Sequence, residues 1–299
     1  MCICFLRLDP TSRYSTVVGF NRDEFLERDT RGPHWWEREE DEGGGAASVF
    51  GGRDLIAGGT WLGVTSTGRI ALLTNFREKI EVPAGEDGDQ KSFFRLSSAA
   101  GTARKSRGLL VKDYLDGSES PQVYCERVVK EEYSGYNLMV GDLETATCAH
   151  VSNRACDGVL EVKSGEALGV SNGPFNSWWK VERGTKKMGE GLPSVLSRAQ
   201  AEGSDPCSAI SDFIFDHILS DGEKAPENGL LPQTGFGDDI EMANSSIFVE
   251  PFERGASGKF GTRTSTVLVF DKEESKLYWR ERAYSGGTYS IHAETIAIG

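Results

Sequence analysis

A thiol and an amine can share one residue in this chain. Cys2 follows the initiator methionine and opens an apolar run, Cys2-Ile3-Cys4-Phe5-Leu6-Arg7-Leu8. A small residue in second place lets Met1 be trimmed, which leaves Cys2 with a free α-amine beside its thiol. That amine, with an ordinary pKa of about 7.7–8.0, can take the thiol proton without a histidine. Nucleophile and base then sit in one residue, a variant of the pair used in acyl transfer. A second apolar run ends in a dense polar cluster, Gly19-Phe20-Asn21-Arg22-Asp23-Glu24-Phe25, where a strand paired with the first would end. Position alone is weak evidence, because a buried cysteine more often packs than reacts.

Other chemistries find less support. The six cysteines (Cys2, Cys4, Cys125, Cys148, Cys156 and Cys207) are scattered, with no C-x-x-C pair. The four histidines are far apart in the sequence, so a structural zinc site is not expected and no metal is assigned. A net charge of −13 argues against duplex DNA or an anionic membrane surface as the main partner. No run approaches the roughly 18 apolar residues of a membrane span, so stable membrane insertion is not expected. The N-terminus lacks the layout of a secretory signal, and its acidic residues balance its arginines. The expected compartment is therefore reducing and cytoplasmic, where a free thiol survives.

The elements that must position Cys2 read as alternating blocks. Strands are expected at 2–8, 15–21, 54–58, 61–66 and 69–76, separated by glycine-rich turns. The acidic stretch Glu37–Glu42 reads as a solvated loop. Helices are expected over 95–116 and 121–133, followed by strands at 135–142, 145–151, 159–163 and 166–171. A second helical block follows. In it Asp205 caps a helix with Pro206 at its first position. Ile210, Phe213, Ile214, His217 and Ile218 then form one buried face, which makes His217 a core residue. Residues 219–236 read as a long surface loop. Three strands, 245–251, 263–270 and 276–284, close the chain. With no βαβ alternation and no G-x-G-x-x-G, the order points to α+β with mostly antiparallel sheets and segregated helices.

Six segments in order carry a resemblance. They are Met1-Cys2, Asn21-Arg22-Asp23-Glu24, Gly59-Thr60-Trp61-Leu62-Gly63, Thr74-Asn75-Phe76-Arg77, Ser171-Asn172-Gly173-Pro174 and Gly261-Thr262-Arg263-Thr264-Ser265-Thr266. Together they resemble the NRDE family, also called the Transport and Golgi organisation protein 2 family, over essentially the whole chain. That family is similar to N-terminal-nucleophile hydrolases, which implies one domain over residues 1–299 built as a four-layer αββα sandwich. Bile-salt and penicillin V amidohydrolases are the nearest comparison. They begin with a catalytic cysteine and carry Gly-Arg-Asn-x-Asp after the second strand. Here Asn21 and Asp23 fit that segment, while the arginine has moved from the position of Phe20 to Arg22. Those two positions share a strand face.

The resemblance implies roles for named residues. Cys2 attacks a carbonyl, Arg22 and Arg263 lower its thiol pKa, and Asp23 holds the α-amine. Asn172 and Asn75 donate to the oxyanion. Asn21, Glu24, Trp61, Arg77 and Trp178 are the expected substrate-binding residues, although Trp61, Trp178 and Trp179 read equally well as packing. Arg22, Arg77, Lys105, Arg107 and Arg263 are expected to supply a cationic rim if they converge. Two functions follow. One is a cysteine amidohydrolase or thioesterase acting on a small acyl compound, with no cofactor required. The other is a carrier for haem or acyl-coenzyme A on the same scaffold, with a role in Golgi or secretory organisation, and mitochondrial or Golgi association is the alternative to a purely cytoplasmic location. His34 is a candidate haem ligand in that second reading. Nucleic acid is expected in neither.

Overall fold

Alternation along the first strand sets the layering. In β1 (Cys2–Leu8), Cys2, Cys4, Leu6 and Leu8 join one apolar cluster while Ile3 and Phe5 join another, so the strand is covered on both sides. The computed structural model describes residues 2–37, 48–77, 105–155, 158–162, 165–255 and 258–299. The outer part of the acidic stretch, residues 95–104 of the first expected helix, Cys156 and the end of the expected strand 159–163 lie outside them.

Among the described residues, thirteen further strands follow in chain order. They are β2 (Tyr14–Phe25), β3 (Thr30–Trp35), β4 (Val49–Asp54), β5 (Leu62–Thr65), β6 (Arg69–Asn75), β7 (Tyr136–Asp142), β8 (Thr147–Ser152), β9 (Leu160–Glu161), β10 (Ala167–Val170), β11 (Phe252–Glu253), β12 (Lys259–Asp271), β13 (Lys276–Ser285) and β14 (Thr288–Ala297). The helices are α1 (Gly108–Asp116), α2 (Pro121–Val128), α3 (Trp179–Glu202), α4 (Pro206–Ile214) and α5 (Asp238–Ala243). One sheet has the order β10-β1-β2-β12-β13-β14, with β11 beside β12. The other runs β3-β4-β5-β6-β7-β8-β9. Every strand pair among the described residues is antiparallel.

Three apolar layers define four layers of backbone. Leu6, Phe20, Leu62, Leu72, Leu268 and Trp279 fill the space between the sheets. Phe5, Val17, Val181, Met188 and Ile214 join the first sheet to α3 and α4. Leu73, Leu110, Tyr114, Tyr124 and Leu138 join the second sheet to α1 and α2. The molecule is therefore an α+β sandwich of type αββα.

The 24-residue α3 lies close to β1 because it carries glycine where β1 carries phenylalanine. A Cβ on Gly184 would sit 2.1 Å from the Phe5 ring. Gly203, at φ 64, ends the helix in the left-handed conformation that glycine adopts without strain. The start of α4 follows the expected cap, with Asp205 accepting from Cys207 N and Ser208 N and Pro206 beginning the helix.

Several expectations need correction. Residues 55–58 are a turn after β4, with Gly58 at φ 74, rather than a strand. Residues 245–251 carry the buried Ile247 and Val249 but belong to no strand. The exposed β3 and β14 were not expected. The helix expected to reach residue 133 ends at Val128. His217 is exposed, its ring tilted over Phe213 at 5.5 Å, because α4 widens into a π turn at Phe215–Leu219. That turn moves the buried face to Ile214, Phe215, Ile218 and Leu219. The loop over 219–236 turns Ala225 and Leu231 inward.

Candidate active site

Strand register sets the first neighbours of Cys2. On β2 it pairs with Arg22, and continuing the β1–β10 register (Cys4 with Val170) brings Asn172 alongside it on the other flank. Ser171 fixes that flank, its hydroxyl donating to the Cys2 carbonyl at 3.0 Å. Cys2 is 7% exposed. Burial pushes its thiol pKa up and the charge of Asp23 adds to this, while the positive charge of Arg22 and a backbone N–H from Asp23 act to lower it.

Arg22 lies over the Trp61 ring at 3.9 Å, and a Cβ on Gly52 would meet that ring at 2.5 Å. Trp61 thus forms the floor under the guanidinium. Burial lowers the Arg22 pKa, with Glu24 opposing. Burial also favours a neutral Glu24, yet the charges of Arg22 and Arg28 help hold that carboxyl below its ordinary pKa. Glu281 reaches the same region from β13. It accepts from Thr266 Oγ1 at 2.8 Å, and burial pushes its pKa up to about 7.

The Ser171-Asn172-Gly173-Pro174 turn is held from the second sheet. Thr74 donates to the Ser171 carbonyl. Asn137 Nδ2 donates to Ser171 O at 3.1 Å and to Gly173 O at 3.0 Å. Asn172 Nδ2 donates to Asn75 O at 2.8 Å, and Arg77 N donates to Asn172 O at 2.7 Å. Such buried hydrogen bonds leave the turn little freedom.

The floor on the helix side is charged. Asp23 accepts from Thr262 Oγ1 at 2.7 Å, and burial raises its pKa. Arg77 and Glu241 form a fully buried ion pair at 2.9 Å, and Thr234 donates to the other oxygen of Glu241. Trp178 covers Arg77 at 4.9 Å and lies against Gly173, where a Cβ would be 2.5 Å from its ring. Its backbone, at φ 76, is strained for a bulky residue and aims the ring inward just before α3. Lys180, in the first turn of α3, is 3% exposed. Burial pushes its pKa down to about 8, with Asp23 the largest opposing influence and Cys2 a smaller one.

These positions redistribute the expected roles. Cys2, Arg22, Asp23, Asn172, Trp61, Arg77 and Trp178 converge, with Glu24 beside Arg22. Asn21 does not join them. It is fully buried on the opposite face of β2, donating to Leu219 O at 2.8 Å and Ile247 O at 3.0 Å and accepting from Ser265 at 2.6 Å. That makes it a clamp between the first sheet and the chain covering it, rather than a substrate contact. Arg263 sits at a β-bulge between Thr262 and Thr264, and its guanidinium donates to Arg28 O at 2.5 Å and Phe25 O at 3.4 Å. Arg22, not Arg263, is therefore the arginine registered with Cys2. Alternation along β6 puts Asn75 on the Leu73 face, toward the helices, so its carbonyl rather than its carboxamide serves the site. Lys105 is exposed near Glu131, and Arg107 donates to Gly135 O at 2.9 Å, so neither belongs to a rim. His34 is bonded to Gly32 O at 2.7 Å in β3.

Lys180, Glu241, Asn137 and Glu281 were not anticipated. A lysine directly after Trp178-Trp179, opening a helix behind a Ser-Asn-Gly-Pro turn, was the one sequence signal available for Lys180. Among the described residues, no helix is long and apolar enough to cross a membrane and no side-chain cluster could hold a metal ion.

Comparison with known proteins gives a consistent picture. The homologue named Transport and Golgi organization 2 in Mus musculus is 23% identical over 283 residues, covering 91% of this chain and 89% of its own length. The Bos taurus homologue is 28% identical over 298 residues, covering 96% and 94%. Among solved structures, a Caenorhabditis elegans N-acylethanolamine-hydrolyzing acid amidase ortholog superposes with a TM-score of 0.45 at 11% identity, covering 90% of this chain and 92% of its own. A mutant conjugated bile acid hydrolase from Clostridium perfringens gives 0.44 at 11%, covering 99% and 96%. At those scores the fold stands on strand order and layering alone. The family model described as Transport and Golgi organisation 2 matches residues 1–286. The chain belongs to that family.

Proposed function

We propose that this protein is a cysteine-dependent hydrolase of an acyl amide or thioester, with Cys2 as the nucleophile once Met1 is removed. One observation carries this reading. Of the described cysteines, Cys2 alone pairs in strand register with an arginine and also receives a backbone N–H at its sulfur. Burial pushes the Cys125 thiol up to about 12 and raises the Cys148 thiol further, with no cation acting against it.

Each step has a residue available. The buried thiol is protonated at neutral pH, so attack needs a base. The freed α-amine of Cys2 is the base in direct reach of the sulfur. Sγ bonds to the carbonyl carbon as the amine takes its proton. Asn172 uses one Nδ2 hydrogen on Asn75, and its second is available to the developing oxyanion. Arg22 adds positive charge at the same end of the strand. Collapse breaks the bond to the leaving amine or thiol, which receives the proton, and leaves a thioester on Cys2. Water, deprotonated by the same α-amine, then releases the acid and restores the thiol.

The test begins with the intact mass of the purified protein, to establish that Met1 is absent. Wild type and Cys2→Ala are then compared on panels of acyl amides and acyl thioesters. A loss of kcat/KM of about 10³-fold or more in Cys2→Ala is expected, together with a Cys2-linked acyl adduct in wild type. Absence of Cys2-dependent turnover on both panels would transfer the site to a non-catalytic carrier.

A further inference from the structure

Lys180 is placed where a cation is least welcome. It is 97% buried, it stands in the first turn of a helix whose positive dipole end opposes it, and Arg77 is a near electrostatic neighbour. Asp23 and Glu241 both act on the Lys180 charge, Asp23 the more strongly, but neither forms an ion pair with it. Glu241 is held by Arg77 and Thr234, and Asp23 accepts from Thr262. Among the described residues, Lys180 makes neither a hydrogen bond nor an ion pair through its ammonium. The helix start is open as well. Trp178 occupies the cap position without a side-chain hydrogen bond, so no side chain accepts from the first-turn N–H groups. An uncapped helix N-terminus with an unpartnered buried ammonium in its first turn is built to receive negative charge. Cys2 is close enough to act on the Lys180 charge.

We propose that the N-terminus of α3 and the Lys180 ammonium together hold an oxyanion, a carboxylate or a phosphate, carried by the acyl compound bound at Cys2. The subsite rests on the reading of Cys2 as the residue that accepts the acyl group. It narrows the substrate class to acyl compounds with an anionic group near the scissile bond. In a chain of net charge −13 the subsite also explains how such a substrate is held against the overall field.

Two measurements test the subsite. In the first, succinyl and butyryl thioesters of N-acetylcysteamine, alike in carbon count and different in charge, are given to wild type, Lys180→Met and Lys180→Arg. Wild type is expected to favour the succinyl compound in kcat/KM. Lys180→Met should lose at least tenfold of that preference, while Lys180→Arg keeps most of it. An unchanged preference in Lys180→Met, or an equal loss on both thioesters, overturns the subsite. In the second, calorimetry measures binding of succinate and of inorganic phosphate to Cys2→Ala and to the Cys2→Ala/Lys180→Met double variant, which separates the carboxylate source from the phosphate source. Binding that disappears with Lys180 supports the subsite even if no thioester is hydrolysed, in which case the reading of Cys2 alone fails. Binding of neither anion, or binding indifferent to Lys180, overturns it. Lys180→Met is expected to unfold at a higher temperature than wild type without added anion, since it removes an unpaired buried charge, and this confirms that the variant is folded.

Discussion

Cys2 and Cys4 lie two residues apart on one strand and one face, yet their surroundings differ in kind. Cys4 pairs with Phe20 and Val170, and burial together with Cys148 and Cys2 places its thiol well above the ordinary range. Cys2 pairs with Arg22, lies alongside Asn172, and feels the charges of Asp23 and Lys180 from the helix side of the sheet. Over about 7 Å, two residues of strand, the space between the sheets passes from hydrocarbon to charge. A thiol's chemistry is set by that boundary more than by its burial, because both sulfurs are enclosed.

The charged end should break first, and most severely, where its closed ion pair is opened. Glu241→Gln leaves Arg77 buried without its counter-ion, and a loss of about 3–5 kcal/mol is expected in urea unfolding. A loss below about 1 kcal/mol would mean that water already shares that end of the layer.

Glu281 probes the border between the two environments. Its folded pKa of about 7 lies above the ordinary 4.5, so the folded state holds a proton that the unfolded chain releases. Its stabilising contribution is complete below pH 4.5 and disappears as pH rises through 7. Between those limits Glu281→Gln should remove a decline of about 3 kcal/mol from the stability curve. Parallel curves for wild type and variant would show that Arg22 keeps this carboxylate ionised throughout.

The smallest effect is expected at the thiols themselves. Iodoacetamide labelling at pH 7, mapped by mass spectrometry, should find Cys2 modified ahead of Cys4. Arg22→Gln should slow Cys2 about tenfold, because it removes a positive charge that favours the thiolate. Equal labelling of the two cysteines would erase the contrast between them.

Much of the scaffold could be read from residue order because it depends on local pattern. The apolar runs at 2–8, 15–21 and 69–76 form β1, β2 and β6, and Asp205-Pro206 starts α4. β3 escaped notice because Arg31, Gly32, Pro33 and His34 suit a half-exposed edge strand and carry no apolar alternation. β14 is hidden in the same way, with exposed Tyr289 and Ile291 among polar residues. Asn21 and Arg22 were adjacent in the motif, but strand alternation sends them to opposite layers. The bulge that turns Arg263 away and the π turn that exposes His217 depend on tertiary packing, which residue spacing does not encode. Lys180 is the sharpest instance, since a lysine at a helix start reads as solvated until a second sheet and a buried ion pair close over it.

Gly184 lies one helical turn beyond Lys180 and receives the edge of Phe5 where any larger residue would collide. The ring works as a key in a slot, stopping α3 from sliding along β1. The spacing between ammonium and sulfur is thereby inherited from a glycine that takes no part in bonding or proton transfer. A methyl group at that position would shift the whole rod, so inactive proteins with every polar residue intact should be sought among Gly184 replacements.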